Sequence, residues 1–343
     1  MEAKINTYKE TAATFQIKRP VLLQTHKSNY HDWNFNDDDF SVFLHCFLLL
    51  KDNQLLKAIQ ILKGSKKNIL NKYLLPYLGK KEQTLMSSTT ECINIWPKTN
   101  LAQMEYNFIC QTIFGAIFNS DIVPTTLIDI GTGDGFLLEK LITVFIKLNQ
   151  KIDIVLIEQD NVLLEETYKM IHCKYPTLNS ISLINSKIED VDFHSFNLDK
   201  ATTIVHAASV LHELPHFHKF KVLDKFKTIS SNVFISELEA NHDISDKDFV
   251  SLANSAYYFY SGLIHDTFMS NNLSDNEKTE FINNYLIYEA YNILINDYRN
   301  RINYHTTQLK WEELFINSNW NFNSHVVKFA NTLPNFLTFH LKS

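Results

Sequence analysis

The chain has 343 residues, of which 45% are hydrophobic and 20% charged, and its formal net charge at pH 7 is −6. This composition is ordinary for a globular protein with a substantial core, and the acidic balance argues against a nucleic-acid partner, which normally meets clustered basic residues. Four scattered cysteines without a C-x-x-C pair are typical of reduced thiols. The longest apolar run, 43–50, is too short to span a bilayer. We therefore expect a cytoplasmic protein without a membrane partner.

Residues 1–120 carry helical patterns. Three aspartates precede the apolar run Phe40–Leu50, and Leu55–Leu62 places apolar residues at helical spacing. A third helix is predicted over Leu101–Phe118, and no alternating pattern indicates strands in this part of the chain. We predict a helical N-terminal cap region over 1–120 and a second domain over 121–343.

From residue 125 to 240, short apolar runs alternate with longer amphipathic ones, a βαβ rhythm that predicts a parallel sheet with helices on both faces. The predicted strands are Leu127–Ile130, Ile152–Ile157, Ile181–Ile184, Thr203–Ala207, Val233–Ile235, Trp320–Phe329 and Phe336–Leu341. Residues 245–310 are helical and aromatic in pattern. The expected fold is α/β, with a Rossmann-like seven-stranded sheet, an antiparallel last strand and a helical insertion at 245–310.

The most informative segment is Thr126–Leu138, where an apolar strand runs into D-x-G-x-G-x-G and then into a helix start. Three of the chain's seven glycines lie in this turn, and clustered glycine indicates a backbone that turns sharply against a ligand. We expect bare N–H groups and the helix dipole to face that ligand. A dinucleotide loop would need glycine where the chain has Phe136. The spacing instead resembles motif I of class I S-adenosylmethionine (SAM) methyltransferases; a glycine-rich turn without a ligand is the alternative.

Ligands of open α/β sheets bind at the carboxyl ends of the strands. Glu158 ends the second predicted strand and suits hydrogen bonding to two ribose hydroxyls, with Asp160 as the second choice and a solvated loop acid as the alternative. Methyltransferases usually hold the adenine with an acid at the position matched here by Ser186. The residues predicted to bind SAM are Asp129, Gly131, Thr132, Gly133, Gly135, Glu158, Gln159, Ser186, Lys187 and Ala207.

Residues 212–216 spell H-E-L-P-H, which has the form of a zinc-protease motif. That motif needs a continuous helix so that both imidazoles share one face. Pro215 lies inside it and removes a helix hydrogen bond. We therefore predict no metal site, and we expect His216 and His218 to be surface or loop residues.

Signals beyond the fifth strand extend the resemblance. Residues 237–242 read E-L-E-A-N-H, residues 257–263 read Y-Y-F-Y-S-G-L, and Arg301, His305 and Trp311 follow. This series, together with the L-H-x-L run at 211–214, resembles the GRAS domain over about 125–343, although the family's second Arg and its flanking acids are replaced here. The family is best known for plant transcriptional regulators, but its fold is that of SAM methyltransferases. Because the glycine loop is intact here, the resemblance implies an enzyme of the bacterial type.

Residues that follow adjacent central strands emerge at the same edge of a sheet. We predict an acceptor pocket formed by His212, Glu239, His242, Arg301 and His305, with Tyr257, Tyr258 and Tyr260 near its helical wall. The candidate general bases are His212, Glu239 and His242. A buried polar network that fastens the helical insertion to the sheet is the alternative for the residues Arg301, His305 and His242.

Three functions are compatible with these patterns to different degrees. The first is a SAM-dependent methyltransferase that methylates O or N of a small, partly apolar molecule, since the protein then mainly positions the reactants. The second is a non-catalytic GRAS-like module that binds a small ligand or a partner protein. A zinc hydrolase is disfavoured by Pro215. The expected partner is a small-molecule acceptor, and the oligomeric state stays open, with a homodimer as one alternative.

Overall fold

The computed structural model describes residues 38–64, 68–80, 92–120, 123–147, 151–193, 196–329 and 333–343. They divide into two compact units. The first is drawn from 1–89, 240–302 and 328–334, and the second from 90–239, 303–327 and 335–343. Each unit is thus assembled from segments that are distant in sequence.

The helices of the described residues, in chain order, are α1 (Asp39–Lys51), α2 (Leu55–Gly64), α3 (Ile69–Leu78), α4 (Asn100–Phe118), α5 (Phe136–Lys147), α6 (Asn161–Lys174), α7 (His216–Ile229), α8 (Phe249–Met269), α9 (Asp275–Glu280), α10 (Ile287–Ile295) and α11 (Gln308–Asn317). The helices predicted near the start of the chain are present as α1, α2 and α4. Side-chain caps explain two of their starts: Asp38 accepts from the amide of Ser41 at 3.0 Å, and the Thr99 hydroxyl accepts from the amide of Ala102 at 3.1 Å.

The strands are β1 (Thr126–Ile130), β2 (Asp153–Glu158), β3 (Ser180–Asn185), β4 (Thr203–Ala208), β5 (Asn232–Leu238), β6 (Asn321–Val327) and β7 (Phe336–Lys342). They form one seven-stranded sheet in the order β3-β2-β1-β4-β5-β7-β6. Strands β1 to β5 pair in parallel, and β7 pairs antiparallel to both of its neighbours. The predicted α/β fold with seven strands is therefore confirmed, and the carboxyl ends of β1, β2, β4 and β5 meet at one edge.

Both faces of this sheet are covered within the second unit. One face carries Ile128 and Val205 and packs with Trp311 of α11 and with side chains of α7. The opposite face carries Leu127 and Phe234 and packs with side chains of α4, α5 and α6. Parallel strands need this double cover, and each large apolar side chain that is fully buried contributes about 1.5–3 kcal/mol.

The first unit is helical in its described residues. Its core is aromatic: Tyr257 of α8 packs against Phe40 and Phe43 of α1 at ring-centroid distances of 5.4 and 5.1 Å. In addition, Tyr291 of α10 lies 5.5 Å from Tyr77 of α3. These contacts explain why 240–302 and the helices before residue 80 fall into one unit. None of the described helices is both long and apolar enough to cross a membrane.

Candidate functional site

The loop between β1 and α5 depends on its glycines. Gly131, Gly133 and Gly135 have φ angles of +64°, +54° and +71°. Residues other than glycine seldom adopt this backbone region. A Cβ at Gly131 would lie 2.1 Å from a methyl carbon of Val210, and a Cβ at Gly135 would lie 2.5 Å from Thr167. Gly131 and Gly135 therefore let the loop pack against neighbouring protein.

Gly133 differs from the other two glycines of the loop. A Cβ built there would meet no protein atom closer than 3.8 Å. A Cβ there would be in ordinary van der Waals contact with Ile93, so it is the positive φ angle that favours glycine at this position. A glycine loop of this kind is where the edge of a ligand can approach the main chain closely.

The amide groups of the loop differ from the sequence-based expectation of bare donors. The amide of Gly131 donates to the carbonyl of Ile157 at 2.8 Å, and the amide of Gly133 donates to a carboxylate oxygen of Glu158 at 3.1 Å. These donors fix the loop to the end of β2. The amides of Gly131 and Gly133 are therefore already engaged within the protein. A ligand at this loop would meet the Glu158 carboxylate and not the Gly133 amide directly.

Replacing Gly131 with alanine is expected to destabilise the fold, because the new methyl group would overlap Val210 and the residue would be strained at positive φ. Overpacking of this kind typically costs about 1–3 kcal/mol, to which the left-handed backbone adds about 1–2 kcal/mol. Urea unfolding followed by circular dichroism measures the change. A Gly131→Ala variant as stable as the parent protein would show that the loop does not pack in this way.

Glu158 lies at the carboxyl end of β2 and is 8% exposed. One carboxylate oxygen accepts from Gly133, and the other accepts from the amide of Asp160 at 3.0 Å. A carboxylate has about four acceptor sites, so each oxygen retains a second lone pair. Asp160 instead caps α6 by accepting from the amide of Val162 at 2.8 Å. The geometry favours Glu158 over Asp160 as a ligand-binding acid.

The other predicted cofactor residues lie at the same edge of the sheet with different contacts. Asp129 is buried and bonds through Oδ1 to Nδ1 of His206 on β4 at 2.8 Å. Ser186 follows β3, and its hydroxyl donates to the carbonyl of Lys187 at 3.0 Å. The exposed Gln159 donates to Glu213 at 3.4 Å. Of the remaining three, Thr132, whose hydroxyl donates to the carbonyl of Asp129, and Ala207 on β4 are buried, and Lys187 is exposed.

His212 follows β4 and pairs with Glu237 at the end of β5. Its Nδ1 lies 2.8 Å from a carboxylate oxygen of Glu237, and both side chains are buried or nearly so. The other carboxylate oxygen accepts from the amides of Val210, Leu211 and His212 at 3.2, 2.8 and 3.2 Å. Charged acceptors of several donors are held strongly in their ionised form. The pair therefore fixes the His212 ring with Nδ1 as donor and Nε2 as the proton acceptor.

His305 lies directly against His212. The two imidazole rings stack with centroids 4.2 Å apart and an interplanar angle of 9°. Nδ1 of His305 lies 3.2 Å from the carbonyl of Leu238, which identifies Nδ1 as its donor. His305 thereby covers one face of the His212 ring and limits the ring's rotation.

A buried lysine holds the segment that carries His305. Lys219 of α7 is fully buried, and its ammonium donates to the carbonyl of Tyr304 and to the hydroxyl of Thr306, both at 2.6 Å. The amide of Tyr304 in turn donates to the carbonyl of His212 at 2.5 Å. Side chain and backbone contacts together therefore position His305 on His212.

The structure brings His212 and His305 together but gives the other predicted catalytic residues different roles. Glu239 accepts from the amide of Gln308 at 2.8 Å and from the side chain of Asn335 at 2.6 Å. It therefore caps α11 and secures the approach to β7. Glu237, two residues earlier in the same motif, is the acid that reaches His212.

His242 and Arg301 lie in the first unit. The Arg301 guanidinium donates to the carbonyls of His242 and Ile244 at 3.1 and 2.8 Å and forms an ion pair with Asp246. The His242 ring is fully buried and stacks on Tyr260 at 5.9 Å. Within the first unit, Arg301 thus holds residues 242–246 in place, and Tyr257 and Tyr260 are buried core residues.

Two buried polar residues of this region were not anticipated. His206 pairs with Asp129 inside the sheet. Glu105 is 1% exposed in the middle of α4, and burial together with nearby Glu237 raises its pKa to about 8. A signal for Glu105 exists in the sequence, because the residue lies in register with Leu101 and Ile109 on the apolar face of the helix.

Among the described residues, His212, Glu237 and His305 each offer one ligand atom within 4.8 Å of the others. Metal coordination would require the lone pairs of both imidazoles to converge on one point. The rings are almost parallel and stacked, so their in-plane lone pairs do not converge. The donors around Glu237 already account for the cluster. The arrangement favours acid–base chemistry over a metal centre.

Comparisons with known proteins agree with this architecture. Residues 174–332 match the GRAS domain family. The crystal structure of SCL7 from Oryza sativa has a TM-score of 0.67 at 12% identity, covering 89% of this chain and 100% of that chain. The citrinin polyketide synthase CMeT domain has a TM-score of 0.51 at 12% identity, with 88% and 79% covered. Magnesium protoporphyrin IX methyltransferase from Synechocystis PCC 6803 with bound SAH has a TM-score of 0.44 at 8% identity, with 73% and 93% covered. No curated protein sequence matches the chain significantly.

The resemblance to the GRAS domain is thus confirmed over 174–332, a narrower range than the sequence motifs indicated. Identities this low establish the fold alone. The sheet is the Rossmann-like sheet that class I methyltransferases share.

Proposed function

We propose that this chain, which matches the GRAS domain family over 174–332 and has the methyltransferase fold, is a SAM-dependent methyltransferase of a small, partly apolar acceptor. The observation that carries the proposal is the His212–Glu237 pair at the carboxyl edge of the sheet that also bears the three-glycine loop. A base with a fixed tautomer can take the proton of a weakly acidic acceptor, and a glycine loop lets a cofactor lie close to the main chain at the same edge.

The residues around the loop fit the cofactor. A Cβ at Gly133 would come no closer than 3.8 Å to Ile93, so neighbouring side chains do not crowd the backbone there, and Glu158 retains lone pairs for two ribose hydroxyls. Bound SAM would supply a methyl group already activated by its sulfonium. The protein's contribution is then to bind, orient and keep water away.

His212 is the proton acceptor in this proposal. Because Glu237 accepts from Nδ1, it raises the basicity of Nε2 and stabilises the imidazolium that forms when Nε2 takes a proton from the acceptor. His305 keeps the ring in its plane. The acceptor becomes a nucleophile when it loses this proton.

Calorimetric titration of the protein with SAM provides the primary test. We expect micromolar affinity, and incubation of the protein with SAM and a metabolite extract should yield products heavier by one methyl group. If the folded protein does not bind SAM, the methyltransferase proposal is wrong and a GRAS-like module for another ligand or a partner protein becomes the better hypothesis.

Replacing Glu158 with alanine is expected to weaken SAM binding about tenfold to a hundredfold, because hydrogen bonds to a charged group contribute about 1.5–3 kcal/mol. Asp160→Ala is the matched comparison. It removes the cap of α6, which typically costs about 1 kcal/mol of stability, and should leave SAM affinity nearly unchanged. Calorimetry on both variants decides the assignment: a loss of affinity in Asp160→Ala alone would assign the ribose contact to Asp160.

A further inference from the structure

Glu105 is a carboxyl group that the fold buries without satisfying it. Its side chain leaves α4 toward the carboxyl end of β4, where Oε1 lies 3.5 Å from the hydroxyl of Ser209. Oε2 is fully buried and has no hydrogen-bond partner among the described protein atoms. An unpaired buried carboxyl oxygen costs about 1–3 kcal/mol or more, so this position indicates a function other than packing.

The backbone beneath Glu105 is also unusual. Ser209, which follows β4, has a φ angle of +52° although it is not glycine. Its amide donates to the carbonyl of Ser236 at 2.8 Å. Sparsely populated backbone conformations persist where the surrounding structure enforces them and are common at active sites. Ser209 therefore turns the chain so that the hydroxyl faces Glu105 and the following residues reach Glu237.

The surroundings of Glu105 determine whether its carboxyl group is protonated. Burial and, second, the Glu237 carboxylate raise its pKa to about 8, while His212 and the Ser209 hydroxyl act in the opposite direction. The two carboxyl groups differ in their contacts, since Glu237 accepts from three amides and lies against Nδ1 of His212. At pH 7 Glu105 is therefore mostly a neutral carboxylic acid, which has one O–H to donate.

We infer that Glu105 is a second catalytic residue of the proposed methyltransferase: its neutral carboxyl donates a hydrogen bond to a carbonyl oxygen of the acceptor, so that the acceptor is an enolisable carbonyl compound. A base and a buried neutral carboxylic acid together are the groups that generate and hold an enolate at neutral pH. This inference rests on the proposed function and specifies its substrate class.

The step is balanced in atoms and charge. Nε2 of His212 takes the proton α to the carbonyl, and the negative charge of the resulting enolate settles on the oxygen that Glu105 hydrogen-bonds. The α carbon of the enolate uses the electron pair to form the new bond to the methyl carbon. The electrons of the broken C–S bond stay on sulfur, so the leaving group is S-adenosylhomocysteine (SAH). The imidazolium then returns its proton to solvent. Glu105 keeps its proton throughout, so a single histidine suffices for proton transfer.

Infrared difference spectroscopy on the full chain tests the assignment. The carbonyl-stretch band of a protonated carboxyl should be present at pH 7, disappear as the pH rises through about 8, and be missing from the Glu105→Gln variant. Adding acetylacetone to the SAH complex should shift this band, because its hydrogen-bond partner changes. A Glu105 band that is absent at pH 7, or one that acetylacetone leaves unchanged in protein with SAH bound, would overturn the inference.

Two substitutions separate hydrogen bonding from folding. Glu105→Gln keeps a neutral donor, so acetylacetone affinity in the SAH complex should stay within about threefold, whereas Glu105→Leu should weaken it roughly tenfold to a hundredfold. Both variants should bind SAH like the parent protein, which also shows that they are folded. Equal acetylacetone affinity in all three proteins contradicts the inference while leaving the proposed function intact. Failure of the parent protein to bind SAM or SAH contradicts the proposed function itself.

Discussion

Replacing His212 with glutamine is expected to lower kcat by about 10²–10⁴-fold while SAM affinity stays nearly unchanged, the usual size of effect for removing a general base. Glutamine can still donate to Glu237 from its side-chain amide, so the buried carboxylate keeps its partner. It has no basic nitrogen to accept the acceptor's proton. Turnover is measured by SAH formation with the acceptor found in the metabolite screen, and SAM affinity by calorimetry.

His216→Gln is the matched control for this experiment. His216 belongs to the same H-E-L-P-H run but begins α7 and is exposed, so turnover should not change. Urea unfolding of both variants identifies a loss of fold. If His212→Gln lowers stability and activity in parallel, or retains full turnover, then His212 is a structural member of the polar cluster and the base lies elsewhere.

The second large effect is expected at Gly133, where valine should weaken SAM binding by about a hundredfold or more, equivalent to ~2.7 kcal/mol. The built Cβ would lie 3.8 Å from Ile93 and 3.9 Å from the carbonyl oxygen of Gly131, which are ordinary contact distances, and the valine would add volume at the loop where the cofactor is proposed to bind. The protein therefore tolerates its volume, although the positive φ angle adds about 1–2 kcal/mol of strain. Calorimetry measures the affinity, and circular dichroism shows whether the variant is folded.

Gly115→Val provides the comparison. A Cβ at Gly115 meets nothing within 4 Å, and the residue lies on α4 away from the loop. SAM affinity should therefore be unchanged in this variant. A folded Gly133→Val protein that binds SAM as well as Gly115→Val does would show that the cofactor does not cross the loop.

The fold was predictable because its signals are local. Each predicted strand is a short apolar run bounded by polar residues; β1 to β4 lie within one residue of those runs, and β5 continues three residues beyond its run. The parallel pairing follows from the alternation of strands and helices, and the antiparallel end was indicated by two apolar runs around Asn331–Pro334. It was harder to foresee that α8 and α10 belong to the same unit as α1 to α3. This grouping depends on contacts between segments that are distant in sequence, such as that of Tyr257 with Phe43.

The site was only partly predictable. Motif spacing predicted the loop glycines, Glu158 and His212 as site residues from their position relative to a strand end, and the structure places them at the carboxyl edge of the sheet. The spacing did not separate Glu237 from Glu239, because strand β5 extends through residue 238 and decides which acid remains at the sheet edge. Glu105 belongs to a helix far away in sequence, and no local pattern indicates that its partners are Ser209 and Glu237.

The position of β7 between β5 and β6 has a consequence for the order in which the acid–base pair forms. Ser236 of β5 and Thr338 of β7 hydrogen-bond at 3.1 Å although they are 102 positions apart. Contacts of such sequence separation form late, because loop closure must precede them. During synthesis, one side of β5 stays unpaired until residues 336–342 have left the ribosome. Glu237 therefore receives its final backbone geometry from a segment made about 100 residues later, and the nascent chain would acquire its cofactor loop before its base.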